Sequence, residues 1–144
     1  MTLHMQKLSV GSESIATLAD WQKMVVRRRK KRGLSPYHEH VTRMFPKQVE
    51  ALLDGGSIYW VIKGLIQCRN EIVALDQVQT QDGRKACSIL MIPKLIPVVP
   101  TPKRPFQGWR YLKAEDAPAD LGEIGGANDL PPELRAKLAN LGAW

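Results

Sequence analysis

Six consecutive cations, Arg27, Arg28, Arg29, Lys30, Lys31 and Arg32, are the strongest chemical signal in the chain. Like charges this close repel one another unless water or a partner's negative charge neutralises them. A nucleic-acid backbone would do so, releasing its condensed counterions and making the binding fall steeply with salt. The run would equally serve as a solvated helix end, its cations complementing the negative end of the helix dipole.

A second group mixes cations with aromatic rings: Tyr59, Trp60 and Lys63 in one segment, and Lys103, Arg104, Phe106, Gln107, Trp109 and Arg110 in another. Flat rings flanked by cations stack unpaired bases, each stack contributing about 1 to 3 kcal/mol. Alternate strand residues face opposite sides, so Tyr59 and Lys63 share a face while Trp60 joins Ile58 and Ile62 as core. Trp109 and Tyr111 have one parity and Arg110 the other, so at most one of those sets lines a groove. Arg43 and Lys47 flank the expected start of a helix, where backbone N–H groups favour phosphate, although Pro46 removes one donor. The expected nucleic-acid surface is therefore Arg27 to Arg32 with Arg43, Lys47, Tyr59, Lys63, Lys103, Arg104, Gln107, Trp109 and Arg110.

Other chemistries find fewer residues. His38-Glu39-His40 would place two imidazoles on one side of an extended chain, but no third ligand completes a zinc set, and no metal or cofactor is expected. Cys68 and Cys87 sit in apolar segments without a local base, and no serine occupies a nucleophile elbow. Glu71 and Asp76 do not amount to an acid/base pair. Gly55-Gly56-Ser57 follows a helix and precedes a strand, the reverse of the order a phosphate loop needs.

The elements that must position these residues follow from periodicity. Leu3 to Val10 reads as a strand with a bulge. Ser12 or Ser14 then caps a helix whose apolar stripe is Ile15, Leu18, Trp21 and Val25, and which runs through the cations to Gly33. Residues 34–40 read as a loop, 41–45 as a short strand, and Pro46 as the first position of a second helix closed by Gly55-Gly56. Residues 57–63 alternate as a strand. Residues 66–78 form a long strand whose apolar phase changes near Val73, where a bulge or bend is expected. Asp82-Gly83 marks a hairpin into 85–92, which is apolar in both phases and so belongs in the middle of a sheet. The five prolines from Pro93 to Pro105 leave only extended chain, and 106–112 ends as a strand.

The 144 residues suit one domain able to bury a core without disulfides. Residues 1–113 carry 19 Lys and Arg against 8 Asp and Glu, whereas residues 114–144 carry 2 against 6. A basic body thus bears an acidic tail, and the tail is expected to compete for the basic face. The expected organisation is a basic domain over 1–113, an acidic linker over 114–129 and a short terminal helix over 130–144 presenting Leu134, Leu138 and Leu141. No apolar run reaches the length of a membrane span and no signal-peptide core opens the chain, so a cytoplasmic protein is expected.

Four strings carry a resemblance: Met1-Thr2-Leu3-His4-Met5, Val41-Thr42-Arg43-Met44, the stretch from Gly55 to Gly64, and the stretch from Arg104 to Leu112. Together they resemble a bacterial family known only as a domain of unknown function, typical of the alpha class of proteobacteria. The resemblance covers residues 1 to about 121 and leaves the tail outside. A second resemblance, to the PUA-like superfamily of small mixed β-barrels, comes from a helix ending in glycine before a strand and the long bent strand after it. That likeness implies RNA or modified bases as ligands.

The fold class expected is α+β: a small mixed, mostly antiparallel sheet or partly closed β-barrel, flanked by two or three helices. The function expected is non-enzymatic nucleic-acid binding, RNA preferred, through the basic helix end and a cationic-aromatic groove. The alternatives are an interaction module for an acidic protein, with 93–105 as an extended docking strand, and an enzyme on a phosphorylated or nucleotide substrate beside Lys63 and Trp109.

Overall fold

The computed structural model describes residues 2–121. The first strand, β1 (Leu3–Leu8), gives way to Gly11 at φ 84° and then to α1 (Ile15–Lys31). Ser14 and Thr17 cap that helix reciprocally. The Ser14 hydroxyl accepts from the Thr17 N–H at 3.2 Å, and the Thr17 hydroxyl accepts from the Ser14 N–H at 3.0 Å. Two otherwise orphaned backbone donors are thereby satisfied, which fixes the start of the helix.

The inward face of α1 differs from the expected stripe. Its buried residues are Leu18, Gln22 and Arg29, while Trp21 is 46% exposed. Positions 18, 22, 25 and 29 fit the helical period as well as 15, 18, 21 and 25, and a polar interaction decides between them. The Gln22 amide donates to Asn70 Oδ1 at 2.8 Å and accepts from Asn70 Nδ2 at 3.0 Å. The Trp60 indole donates to the same Asn70 oxygen at 2.8 Å, and Asn70 Nδ2 also donates to the Ile92 carbonyl. The buried amide pair is thus satisfied, as an interior of low dielectric requires.

The loop expected over 34–40 ends early, because β2 (His38–Thr42) pairs antiparallel with Cys87–Met91. The second helix, α2 (Val49–Leu53), is a single turn starting three residues past Pro46. Gly55 closes it at φ 76°. At Gly56 a Cβ would lie 2.2 Å from the Leu52 carbonyl oxygen and 2.4 Å from that of Leu3, so only glycine lets α2 meet β1 this closely.

β3 (Ser57–Ile62) turns through Lys63 and Gly64, both at positive φ, into the long β4 (Leu65–Gln79). Its register shifts between Ile72 and Ala74, where the apolar phase change near Val73 points to a bulge. Up to Glu71 β4 pairs with β3 and with β6 (Ile96–Pro102); from Ile72 onward it pairs with β5 (Lys85–Met91). The proline-rich β6 has β4 as its one strand neighbour, and its other side is met only by an isolated bridge between Val98 and Asp120, since prolines cannot donate to a full second ladder. β7 (Trp109–Lys113) runs antiparallel to β1, which is itself parallel to β3.

The result is a mixed, mostly antiparallel α+β sheet in the order β2-β5-β4-β3-β1-β7, with β6 beside β4 and two helices. The sheet stays open, so of the two expected arrangements the sheet, not the barrel, is realised. β3 is buried along its whole length. Ile58, Trp60 and Ile62 belong to the main core with Met5, Leu18 and Ile89, whereas Tyr59 and Val61 join Ile66, Val98 and Leu112 on the other face. Residues 114–121, expected to begin a linker, lie against the body: Ala114–Asp116 form one 3-10 turn, Asp120 bridges to Val98, and Leu121 is buried. The Asp120 carboxylate accepts from Arg69 Nη2 at 2.8 Å, and that partner holds it below the usual carboxylate range. The expected terminal helix lies outside the described residues.

Candidate functional site

The cation run occupies the last turns of α1, where 100° per residue fans the side chains around the axis. Arg27, Arg28, Lys30, Lys31 and Arg32 are exposed, and none has a carboxylate within ion-pair distance among the described residues. Arg29 departs from the set. It is buried, donates to the Ser35 carbonyl at 3.2 Å and the Ser35 hydroxyl at 3.1 Å, and stands 3.6 Å from Glu39. Its charge is spent on tethering the chain from α1 into β2, so Arg29 is corrected from ligand contact to structural anchor.

The cationic-aromatic groove is not assembled, because its rings face inward. Tyr59 is 4% exposed, and Trp109 is 6% exposed with its indole donating to the Met44 carbonyl at 2.7 Å. Neither ring can stack a base. Arg110 is exposed but lies 5.2 Å over the Phe106 ring, which partners it internally. Lys63 and Lys103 meet at one turn, where the Lys103 N–H donates to the Gly64 carbonyl, and Arg104 and Gln107 are exposed beyond it. Arg43 and Lys47 are exposed, yet the N–H groups of Lys47 and Gln48 both donate to the Tyr111 hydroxyl at 3.0 and 3.1 Å. The donors expected to hold phosphate there are already taken. The cysteines fit no nucleophile: burial pushes the Cys68 thiol up to about 12 and the Cys87 thiol to about 11.

The structure adds a site that the spacing of residues did not reveal. A cavity of about 420 Å³ opens between the end of β1, the first turns of α1 and β2, lined by Lys7, Leu18, Trp21, His38, His40 and Trp60 among others. Lys7 has the same strand parity as Met5 and pairs in register with Trp60, so it stands at the end of the core face, under α1. His38 is 1% exposed, and neither its Nδ1 nor the Nε2 of His40 has a hydrogen-bond partner among the described residues. Each buried polar atom left so costs about 1 to 3 kcal/mol. Burial pushes His38 down to about 4, with Glu39 opposing and Arg29 adding to the shift. Burial likewise takes His40 to about 4, with Lys7 and His38 adding to it, and lowers Lys7. At neutral pH the cavity therefore holds two neutral imidazoles, each with one N–H and one lone pair, beside one ammonium.

At the cavity's rim Trp21 faces outward with the Arg28 guanidinium 5.9 Å from its ring centre. Trp21 escaped the sequence reading because it fitted the helix's apolar period; His38 and His40 were read as two imidazoles on one side of an extended chain, but the cavity they share with Lys7 depends on the tertiary packing of β1, α1 and β2. Lys7 carried one usable signal, a cation in phase with core residues. No group of three or more His, Cys, Asp and Glu among the described residues comes together to hold a metal ion, and no described helix is long and apolar enough to cross a membrane.

No curated protein and no solved structure matches the chain. A family model does, and its match runs to the last residue, so the tail expected to fall outside the family is part of it. Over residues 5–144 the chain belongs to the family described as Protein of unknown function (DUF1489).

Proposed function

We propose that this protein is a non-enzymatic nucleic-acid-binding domain that holds single-stranded RNA along the outer face of α1. The observation that carries the reading is the exposed stripe on that helix: Trp21, Met24, Arg28 and Lys31 follow one another at spacings of three and four residues, with Arg27, Lys30 and Arg32 alongside. An exposed ring next to cations that have no carboxylate partner among the described residues combines a stacking platform with a track for phosphates, the combination that suits single strands whose bases are free. The groove expected around Trp109 plays no part, and Lys63, Lys103 and Arg104 form a second, separate cationic corner.

Fluorescence anisotropy with a labelled single-stranded RNA tests the reading. The triple substitution Lys30→Gln, Lys31→Gln, Arg32→Gln should weaken binding about tenfold or more at low salt, since a phosphate that no longer meets a cation keeps its condensed counterions. Trp21→Ala should cost about 1 to 3 kcal/mol of affinity, the value of one stacked base. Wild-type affinity in both variants would refute the reading. A protein partner that stays bound after nuclease treatment, with no RNA affinity, would favour the acidic-partner alternative instead.

A further inference from the structure

The cavity beneath α1 has features that neither the core nor the RNA reading explains. Most buried polar side chains in this fold are accounted for: Gln22, Asn70 and Trp60 satisfy one another, and Arg69 is held by Asp120 and Ser57. Gln6 and Gln67 each keep one amide oxygen without a partner among the described residues, but neither lines the cavity, whereas His38 and His40 do. They lie two residues apart on one strand, both line the same cavity, and each leaves a ring nitrogen without a partner among the described residues. The half-buried Lys7 beside them has no carboxylate within ion-pair distance among the described residues.

The lining also says what would be rejected. No Asp or Glu among the described residues contributes to it, so a cationic ligand would meet Lys7 unopposed, and a neutral one would leave that ammonium unpaired. Two histidines and a lysine do not make a metal set. An anion would pair with Lys7 and take hydrogen bonds from the imidazole N–H groups and from the Ser12 hydroxyl at the rim, whereas the Thr17 hydroxyl already donates to the Ser14 carbonyl. The positive end of the α1 dipole, at the same rim, adds to that preference. Leu8, Leu18, Trp21 and Trp60 supply the apolar remainder of the wall. About 420 Å³ lies in the range of small-molecule sites and has room for a molecule of one or two rings.

We propose that this cavity is a binding site for a small organic acid with a flat apolar body, its carboxylate or phosphate head held by Lys7, His38 and His40. The site shares Trp21 with the RNA-binding stripe but none of its cations, and its occupancy does not depend on that function. It meets the surface at Trp21, so a bound acid would lie next to the ring on which a base would stack.

Isothermal titration calorimetry on the full-length protein at neutral pH tests this with three probes of one shape: 2-naphthoate, 2-naphthyl phosphate and the uncharged 2-naphthol. At least one acid should saturate a single site per chain, at least tenfold tighter than the alcohol, and the tighter of the two acids identifies the head group. Lys7→Met should bring the acid's affinity down to that of the alcohol, while the triple substitution at 30, 31 and 32 leaves it unchanged. Should Lys7→Met fail to fold, the comparison of acids with alcohol in the wild-type protein decides alone. Titration of neither acid, or an alcohol bound as tightly as the acids, would overturn the proposal. So would undiminished acid binding by a folded Lys7→Met. Because the triple substitution spares this site and Lys7→Met spares the stripe, failure here and failure of the RNA reading are separately visible.

Discussion

Arg29 and its five neighbours are chemically equivalent in the sequence and opposite in the fold. Arg29→Met should destabilise the protein by about 1 to 3 kcal/mol in urea unfolding, because the Ser35 groups lose their partner and Glu39 keeps only the Ser88 hydroxyl. Arg27→Met, at an exposed position, should stay within about 0.5 kcal/mol of wild type. Equal effects at the two positions would show that Arg29 is not the anchor. The histidines give a residue-scale expectation with a definite sign. His38 and His40 titrate at about 4 in the folded protein, against an ordinary value of 6.5 in the unfolded chain. Between these values the unfolded chain binds more protons, so stability is full above pH 6.5 and falls as the pH drops towards 4. Asp120, depressed by Arg69, adds a further loss below the ordinary carboxylate range. Thermal melts across that window should show the fall, and the double substitution His38→Gln, His40→Gln should make it shallower, leaving the share of His4, which burial and Arg69 also lower; an unchanged slope would contradict the burial of these rings.

Among the elements, Gly56 offers the sharpest test of packing. Gly56→Ala places a methyl group against two backbone carbonyls that cannot swing aside, so β1 and α2 must part. A loss of about 1 to 3 kcal/mol is expected in the same urea assay, the usual cost of forced overpacking. A neutral result would mean the two elements are looser than the geometry requires. The sequence made the strands and the β4 bulge legible because period-2 alternation, the phase change near Val73 and the Asp82-Gly83 turn are local signals. It made the working face of α1 illegible for a reason equally physical. Two stripes fit a 3.6-residue period, and the choice between them depends on Asn70, which lies 48 residues from Gln22. β2 was placed three residues late in the same way: His38-Glu39-His40 has no strong strand propensity and becomes strand only through pairing with β5. The cationic-aromatic groove failed because parity assigns a side chain to a face, while burial of both faces of the sheet, as at Tyr59 and Trp109, is decided by what packs on top.

For the molecule as a whole, charge is unevenly shared: the body carries the excess of Lys and Arg and residues 114–144 the excess of Asp and Glu. One acid of that second segment, Asp120, is spent on Arg69 and not on the cation run. Among the described residues no carboxylate pairs with the exposed cations at the end of α1, which leaves them free to meet an external polyanion as one coherent surface. A salt titration of binding to single-stranded RNA, duplex RNA and duplex DNA measures this directly. Roughly five phosphates neutralised on a single strand would give a slope of log K against log salt of about −3.5, and removing the cations at 30, 31 and 32 should reduce it by about 2. Tightest binding to the single strand, with that change in slope, is the outcome expected here. A flat salt response on all three nucleic acids, or a slope that the triple substitution leaves untouched, would contradict it.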